Sequence, residues 1–157
     1  MERVRFFDGQ LLTAAEFEAE QRYHLEKRRL HNRMLHGFGV VDGLGVSVAD
    51  GTVIVSPGFA LDRRGNEIIV AGPVRIDLNV CTGDVYFVTI QYTETATDPV
   101  PNTNGGVEFS RVTENFALGI ATEDPDESAD TQQLSLARLV RQDGQWLVDE
   151  TCCRRIT

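Results

Sequence analysis

Lysine, tryptophan, cysteine and histidine are all scarce in this chain of 157 residues, which has one lysine (Lys27), one tryptophan (Trp146), three cysteines and three histidines. The cysteines, Cys81, Cys152 and Cys153, cannot form a disulfide framework: their number is odd, and the adjacent pair could bridge only through a strained ring. No Cys-x-x-Cys spacing occurs, which excludes a zinc ribbon on ligand count. Reduced thiols in a chain made in the cytoplasm are the expected state. Long apolar runs are missing as well. The stretch Val85 to Ile90 is interrupted by Thr89, so no segment approaches the roughly 20 apolar residues of a membrane span. The start, Met1-Glu2-Arg3-Val4-Arg5, has no signal-peptide core. No membrane insertion is expected.

Positive charge is in deficit. The formal net charge is −9, from 15 Lys and Arg against 24 Asp and Glu. Residues 1–36 hold seven cations and six anions, and residues 37–157 hold eight and eighteen, so nets of +1 and −10 make up the total. So acidic a body repels phosphate backbones, which disfavours nucleic-acid binding, and no nucleic-acid partner is expected. Hydrophobic residues at 41% and charged residues at 25% are nevertheless the mixture of a folded domain, and the length suits about one.

What is present begins with a helix. Thr13 with Glu16 three residues on makes a capping box, and Leu12 with Phe17 has the spacing of a hydrophobic staple. Glu16, Glu18 and Glu20 lie in the first turns and Lys27, Arg28, Arg29 and Arg33 in the last, both favoured by the helix dipole. The pattern predicts a helix from about Ala14 to His36, with Gly37 as its C-terminal stop, roughly 34 Å long. Its faces lack a wide apolar stripe. One reads Phe17, Gln21, His24, Arg28, His31, Leu35, and another Tyr23, Lys27, Leu30, Met34. A helix this polar is held by pairs such as Glu18–Arg22 and Arg22–Glu26, or it lies in a polar interface.

Past Gly37 the period becomes alternating. Val46–Val48 and Val53–Val55 flank Asp50-Gly51 as a hairpin, Pro57-Gly58 has the order of a type II turn, and residues 59–62 and 67–70 flank a second hairpin. Residues 74–78 and 85–94 read as strands, Thr95–Gly106 as a long exposed loop, 109–112 and 115–121 as strands, and Glu123–Asp130 as an acidic loop. A last hairpin turns at Asp143-Gly144. The expected fold class is α+β: an extended N-terminal segment and one long α-helix, then a mainly antiparallel β-sandwich or barrel-like domain. The expected division is residues 1–36 for docking and oligomerisation and 37–157 for the β-rich domain.

Chemistry is hard to find. His24 and His31 are seven residues apart, about 10 Å along a helix, too far to share one ion within a chain. In a parallel trimer each could form a three-histidine ring, but contacts with a partner are the favoured reading, and no metal or cofactor is assigned. Asp62 with Glu67 across a hairpin is one carboxylate pair to weigh for glycoside hydrolysis, although turn and surface acids explain it better. No Gly-x-Ser-x-Gly occurs, and Gly37 to Gly45 follows a helix and precedes a strand, the wrong order for a phosphate cradle. The expectation is a protein that is not an enzyme.

The strings Arg5-Phe6-Phe7-Asp8-Gly9-Gln10-Leu11-Leu12-Thr13-Ala14, Gln21 to Arg33, His36-Gly37-Phe38-Gly39-Val40-Val41-Asp42-Gly43-Leu44 and Val55 to Asp62 carry a resemblance. Together they resemble an N-terminal attachment module of baseplate- or fibre-associated proteins in phage tails and phage-tail-like contractile injection systems. The resemblance implies a non-catalytic structural or adaptor component of such a particle, made in the cytoplasm and then part of a virion or phage-tail-like particle. It implies a homo-oligomer, a trimer above all, with other particle proteins (baseplate, fibre or tail components) as partners. Expected docking residues are Phe6, Phe7, Gln21, His24, Arg28, His31 and Arg33. Two other readings stay open: a carbohydrate-binding β module using Trp146, Tyr86 and Tyr92, and a particle-associated hydrolase using Asp62 or Glu67.

Overall fold

The computed structural model describes residues 2–79, 81–125 and 131–156. It is an α+β fold with one helix ahead of antiparallel sheets. Helix α1 spans Ala14–His31 and runs on into a π turn, Asn32–His36. The capping box forms as expected: the Thr13 amide donates to Glu16 Oε2 at 2.9 Å, and the Thr13 hydroxyl reaches the same oxygen. Those bonds hold the Glu16 carboxyl below its usual range. The stabilisation they give is therefore complete above the unfolded value and disappears as pH falls through the lower folded one. Helical circular dichroism should decline on acidification through that range, and Glu16→Gln should remove that part of the decline.

The helix ends earlier than its sequence suggests, and the reason is local. Asn32 is the buried residue of the π turn and directs its amide into the body, so the backbone widens there to a five-residue repeat, with the Gly37 amide donating to the Asn32 carbonyl at 3.0 Å.

Ten strands follow among the described residues: β1 (Gly39–Gly43), β2 (Val46–Ala49), β3 (Thr52–Val55), β4 (Gly58–Leu61), β5 (Glu67–Val70), β6 (Val74–Asp77), β7 (Val85–Pro101), β8 (Val107–Ala121), β9 (Leu134–Gln142) and β10 (Gln145–Asp149). They form three antiparallel sheets in the orders β1-β4-β5, β2-β3-β6 and β10-β9-β7-β8. All three feed one core. Val53 and Val55, Ala60, Ile68 and Val70, and Val88, Ile90, Leu136 and Leu139 belong to the same buried cluster. Alternation sends Val53 and Val55, and Ile68 and Val70, inward from the outer sheets, whereas in the central strands β7 and β9 Thr89, Ser135 and Ala137 are buried as well.

Two turns match the sequence closely. Asp50-Gly51 and Asp143-Gly144 both take positive φ at both positions, as the tight hairpins β2–β3 and β9–β10 require. Pro57-Gly58 does not form the expected type II turn. Gly58 has no positive φ and is instead needed for space, because a Cβ there would lie 2.4 Å from the Asp42 carbonyl oxygen. The carboxyl-terminal segment straps the first sheet: the Val40 amide donates to the Arg154 carbonyl at 2.7 Å, and the Ile156 amide to the Val40 carbonyl at 2.8 Å. Phe38 lies between two guanidinium groups there, Arg63 at 3.9 Å and Arg154 at 4.2 Å from its ring centre.

The largest departure concerns residues 95–106. They are not a loop: β7 continues to Pro101 and pairs with β8 down to Val107, leaving only a tight turn at 102–106. Val107–Ala121 is likewise one strand instead of two. Strand β9 pairs with β7 only over Val85–Ile90, so beyond that point the outer edge of β7 is free. Pro99 and Pro101 can occupy such an edge without costing a ladder bond. The result is a two-stranded ribbon beyond the core, exposed over most of its length from Glu94 and back to Glu114. Of the acidic loop 123–130, residues 126–130 lie outside the described residues.

Candidate docking surface

Helix α1 has no buried residue along its 18 positions. It is joined to the body by polar contacts near its carboxyl end. Arg28 lies 3.7 Å from Glu67 and 3.5 Å from Glu114, and Arg29 lies 3.0 Å from Glu94. Asn32 Nδ2 donates to the Gly65 carbonyl at 2.9 Å and to Glu67 Oε1 at 3.3 Å. The Tyr92 hydroxyl donates to the same Glu94 oxygen at 2.8 Å, and burial together with that carboxylate pushes the phenol pKa upward. Pairs this exposed contribute about 0–1 kcal/mol each, so they orient the helix more than they anchor it. The expected pairs Glu18–Arg22 and Arg22–Glu26 do not form; the hydrogen-bonded i,i+4 pair within α1 among the described residues is Glu20–His24, at 2.9 Å, and the Lys27 ammonium lies 5.9 Å from the Tyr23 ring centre.

Between α1 and the β7–β8 ribbon lies a groove of about 1040 Å³. Glu18, Glu20, Glu94 and Glu114 line it together with Arg22 and Arg28, while Leu25 and Val112 give it apolar carbon. Of the residues expected to dock partners, Gln21, His24 and Arg28 line this groove. His31 is exposed on the helix with its ring 5.4 Å from that of His36, and Arg33 is exposed in the π turn. Phe6 and Phe7 lie apart from the groove on the N-terminal arm, 49% and 68% exposed. Leu11, Leu12 and Phe17 are exposed with them, so the expected Leu12–Phe17 staple shields neither side chain. Five large apolar side chains in the first 17 residues therefore lack a covering surface on their own chain. No group of three or more His, Cys, Asp or Glu residues arranged to hold a metal occurs among the described residues.

The carboxylates weighed for hydrolysis have structural work. Asp62 is fully buried, and its Oδ1 accepts from the Arg64 and Asn66 amides, both at 2.8 Å, while Oδ2 accepts from Asn66 Nδ2 at 2.6 Å. This carboxylate builds the β4–β5 turn. Asp62→Ala strands those donors in a buried site and should cost about 3 kcal/mol of stability, measured by urea unfolding. Burial pushes the Cys152 thiol up to about 11, with Asp124 adding to the effect, and burial also raises Cys81. At neutral pH both are thiols, not the thiolates that nucleophilic attack needs. Of the aromatics weighed for sugar binding, Tyr92 is buried, and Tyr86 packs edge-on against Trp146 with ring centres 5.9 Å apart.

Sequence reasoning missed the joint of Asn32 with Gly65 and the two ribbon glutamates, Glu94 and Glu114. The alternation in Thr93-Glu94-Thr95-Ala96-Thr97 was a strand signal that the prolines after it obscured.

No family model matches the chain, and no curated protein does. Solved structures do. A chain of the type VI secretion system TssK-TssF-TssG baseplate subcomplex superposes with a TM-score of 0.61 and 17% identity, covering 95% of this chain and 60% of that one. A crystal structure of TssK gives 0.58 and 13%, over 94% and 40%. TssK from the type VI secretion system of EAEC, bound to a nanobody, gives 0.56 and 21%, over 85% and 52%. The fold is shared. The chain spans about half the length of the chains it matches, 40% to 60%.

Proposed function

We propose that this protein is a non-catalytic structural component of the baseplate of a phage-tail-like contractile injection particle, joining neighbouring components through its N-terminal arm and α1. The observation that carries the reading is a helix of 18 residues with no buried side chain, preceded by an arm that exposes Phe6, Phe7, Leu11 and Leu12. A monomer gains little from ordering such a rod, because burial of an apolar face is what holds most helices in place. The fold it shares with chains of type VI secretion baseplates supports the same reading. Phe6 and Phe7 serve as apolar anchors, and Gln21, His24, Arg28, His31 and Arg33 form the polar docking face. Three copies is the favoured assembly, since polar layers on a helix set register between subunits.

The particle role is tested by sedimenting contractile particles from the source cells and probing them with an antibody to this chain. The protein is expected to pellet with sheath and tube. Its confinement to the supernatant of particle-producing cells would overturn the proposal.

A further inference from the structure

The groove between α1 and the ribbon is acidic, and the uncovered arm presents two arginines and apolar side chains over a comparable length. Four glutamates against two arginines give the groove lining a net charge of −2. Among these, Glu20 Oε2 is shielded from solvent without a hydrogen-bond partner, while its other oxygen is engaged by His24. That carboxylate therefore has hydrogen-bonding capacity that no group of its own chain uses. Between Glu2 and Asp8 the arm carries the sequence Arg3-Val4-Arg5-Phe6-Phe7, two guanidinium groups interleaved with apolar side chains. Arg3, Arg5, Phe6 and Phe7 are all exposed.

Lengths agree as well. From Glu18 to Arg28 the helix wall of the groove runs about 15 Å at 1.5 Å per residue. Five residues of extended arm cover about 16 Å. In an extended chain Arg3 and Arg5 point to one side and Val4 and Phe6 to the other, which suits a groove offering both carboxylates and the apolar carbon of Leu25 and Val112. The arm does not occupy the groove of its own chain. A turn at residues 7–10 is closed by the Gln10 amide on the Phe7 carbonyl at 3.2 Å, and no arm residue is among those lining the groove.

We infer that the groove between α1 and the β7–β8 ribbon receives the N-terminal arm of a second copy of this chain, with Arg3 and Arg5 of that copy engaging Glu18 and Glu20. This inference rests on the multi-copy reading above and names the contact that makes it. One arm per groove is a head-to-tail contact, and repeated with rotation it closes into a ring.

Two measurements on the full-length protein test it. With p-benzoylphenylalanine in place of Phe7, ultraviolet irradiation should yield covalent oligomers whose cross-linked peptides map to residues 18–28 or 112–114. The charge-reversal pair R3E/R5E should weaken self-association at least tenfold by light scattering, as should E18R/E20R, and the two together should restore it to within threefold of the natural protein. Arg3, Arg5 and Glu18 are exposed and Glu20 is half-buried, so circular dichroism is used to check the folding of each variant. Cross-links that map elsewhere or stay within one chain, or a combined variant no better than either half, overturn the arm seat. If the natural protein is still multi-copy in that case, the assembly reading survives; if the natural protein is a single chain in solution, both fail.

Discussion

Gly65→Ala is expected to lower the melting temperature by about 6–12 °C, equivalent to about 3 kcal/mol in a domain of this size. Gly65 turns the β4–β5 loop with φ +83°, a conformation that an L side chain reaches only at a cost of roughly 1–2 kcal/mol. The space is closed as well. A Cβ at this position would lie 2.2 Å from the Arg29 carbonyl oxygen and 3.0 Å from the Arg29 Cα, all of it helix backbone that cannot rotate away. The Gly65 carbonyl accepts from Asn32, so the substitution also strains the joint that positions α1. Amide exchange in residues 28–36 should accelerate while exchange in β7 and β9 stays slow. An unchanged melting temperature with unchanged exchange across the joint would contradict this account of how the helix is held.

Gly43→Val is expected to abolish folding, giving insoluble protein or a loss beyond 4 kcal/mol. At Gly43 the first strand crosses the start of β4 with φ +61°, and a Cβ would fall 2.1 Å from the Pro57 carbonyl oxygen and 2.8 Å from the Gly58 Cα. Both neighbours are backbone, and both sit beside the buried Val40, Leu44, Val55 and Ala60. Relief requires β1 and β4 to separate, which opens the core shared by all three sheets. Soluble expression and a thermal melt of the variant decide the matter.

How much of this could be read in the chain follows from which forces are local. The capping box at Thr13 and Glu16, the Asp-Gly hairpins and the strands 53–55 and 67–70 are dictated by neighbours in sequence, and they appear as expected. The glycines of residues 37–45 were read as admitting close backbone approach, and Gly39 and Gly43 do so against Arg154 and Pro57. What could not be read is what long-range contacts decide. Asn32 is an unremarkable polar residue until Gly65 is brought beneath it. Pro99 and Pro101 argue for a loop until the outer edge of β7 is known to be free. The acids Glu67, Glu94 and Glu114 are separated by up to 47 residues in sequence, yet they meet the same two helix arginines. Of the candidate docking residues, those on the helix were visible in its missing apolar stripe, whereas the ribbon forming the opposite wall of the groove was not.

The central claim is that the arm and α1 were shaped to be covered by other polypeptides. Light scattering on the purified natural protein at micromolar concentration tests it most directly. One chain has a mass of 17.4 kDa. The account predicts a particle of about three times that mass, falling to the single-chain value when residues 2–12 are deleted. A natural protein that stays at 17.4 kDa across the concentration range, with or without the arm, would contradict it.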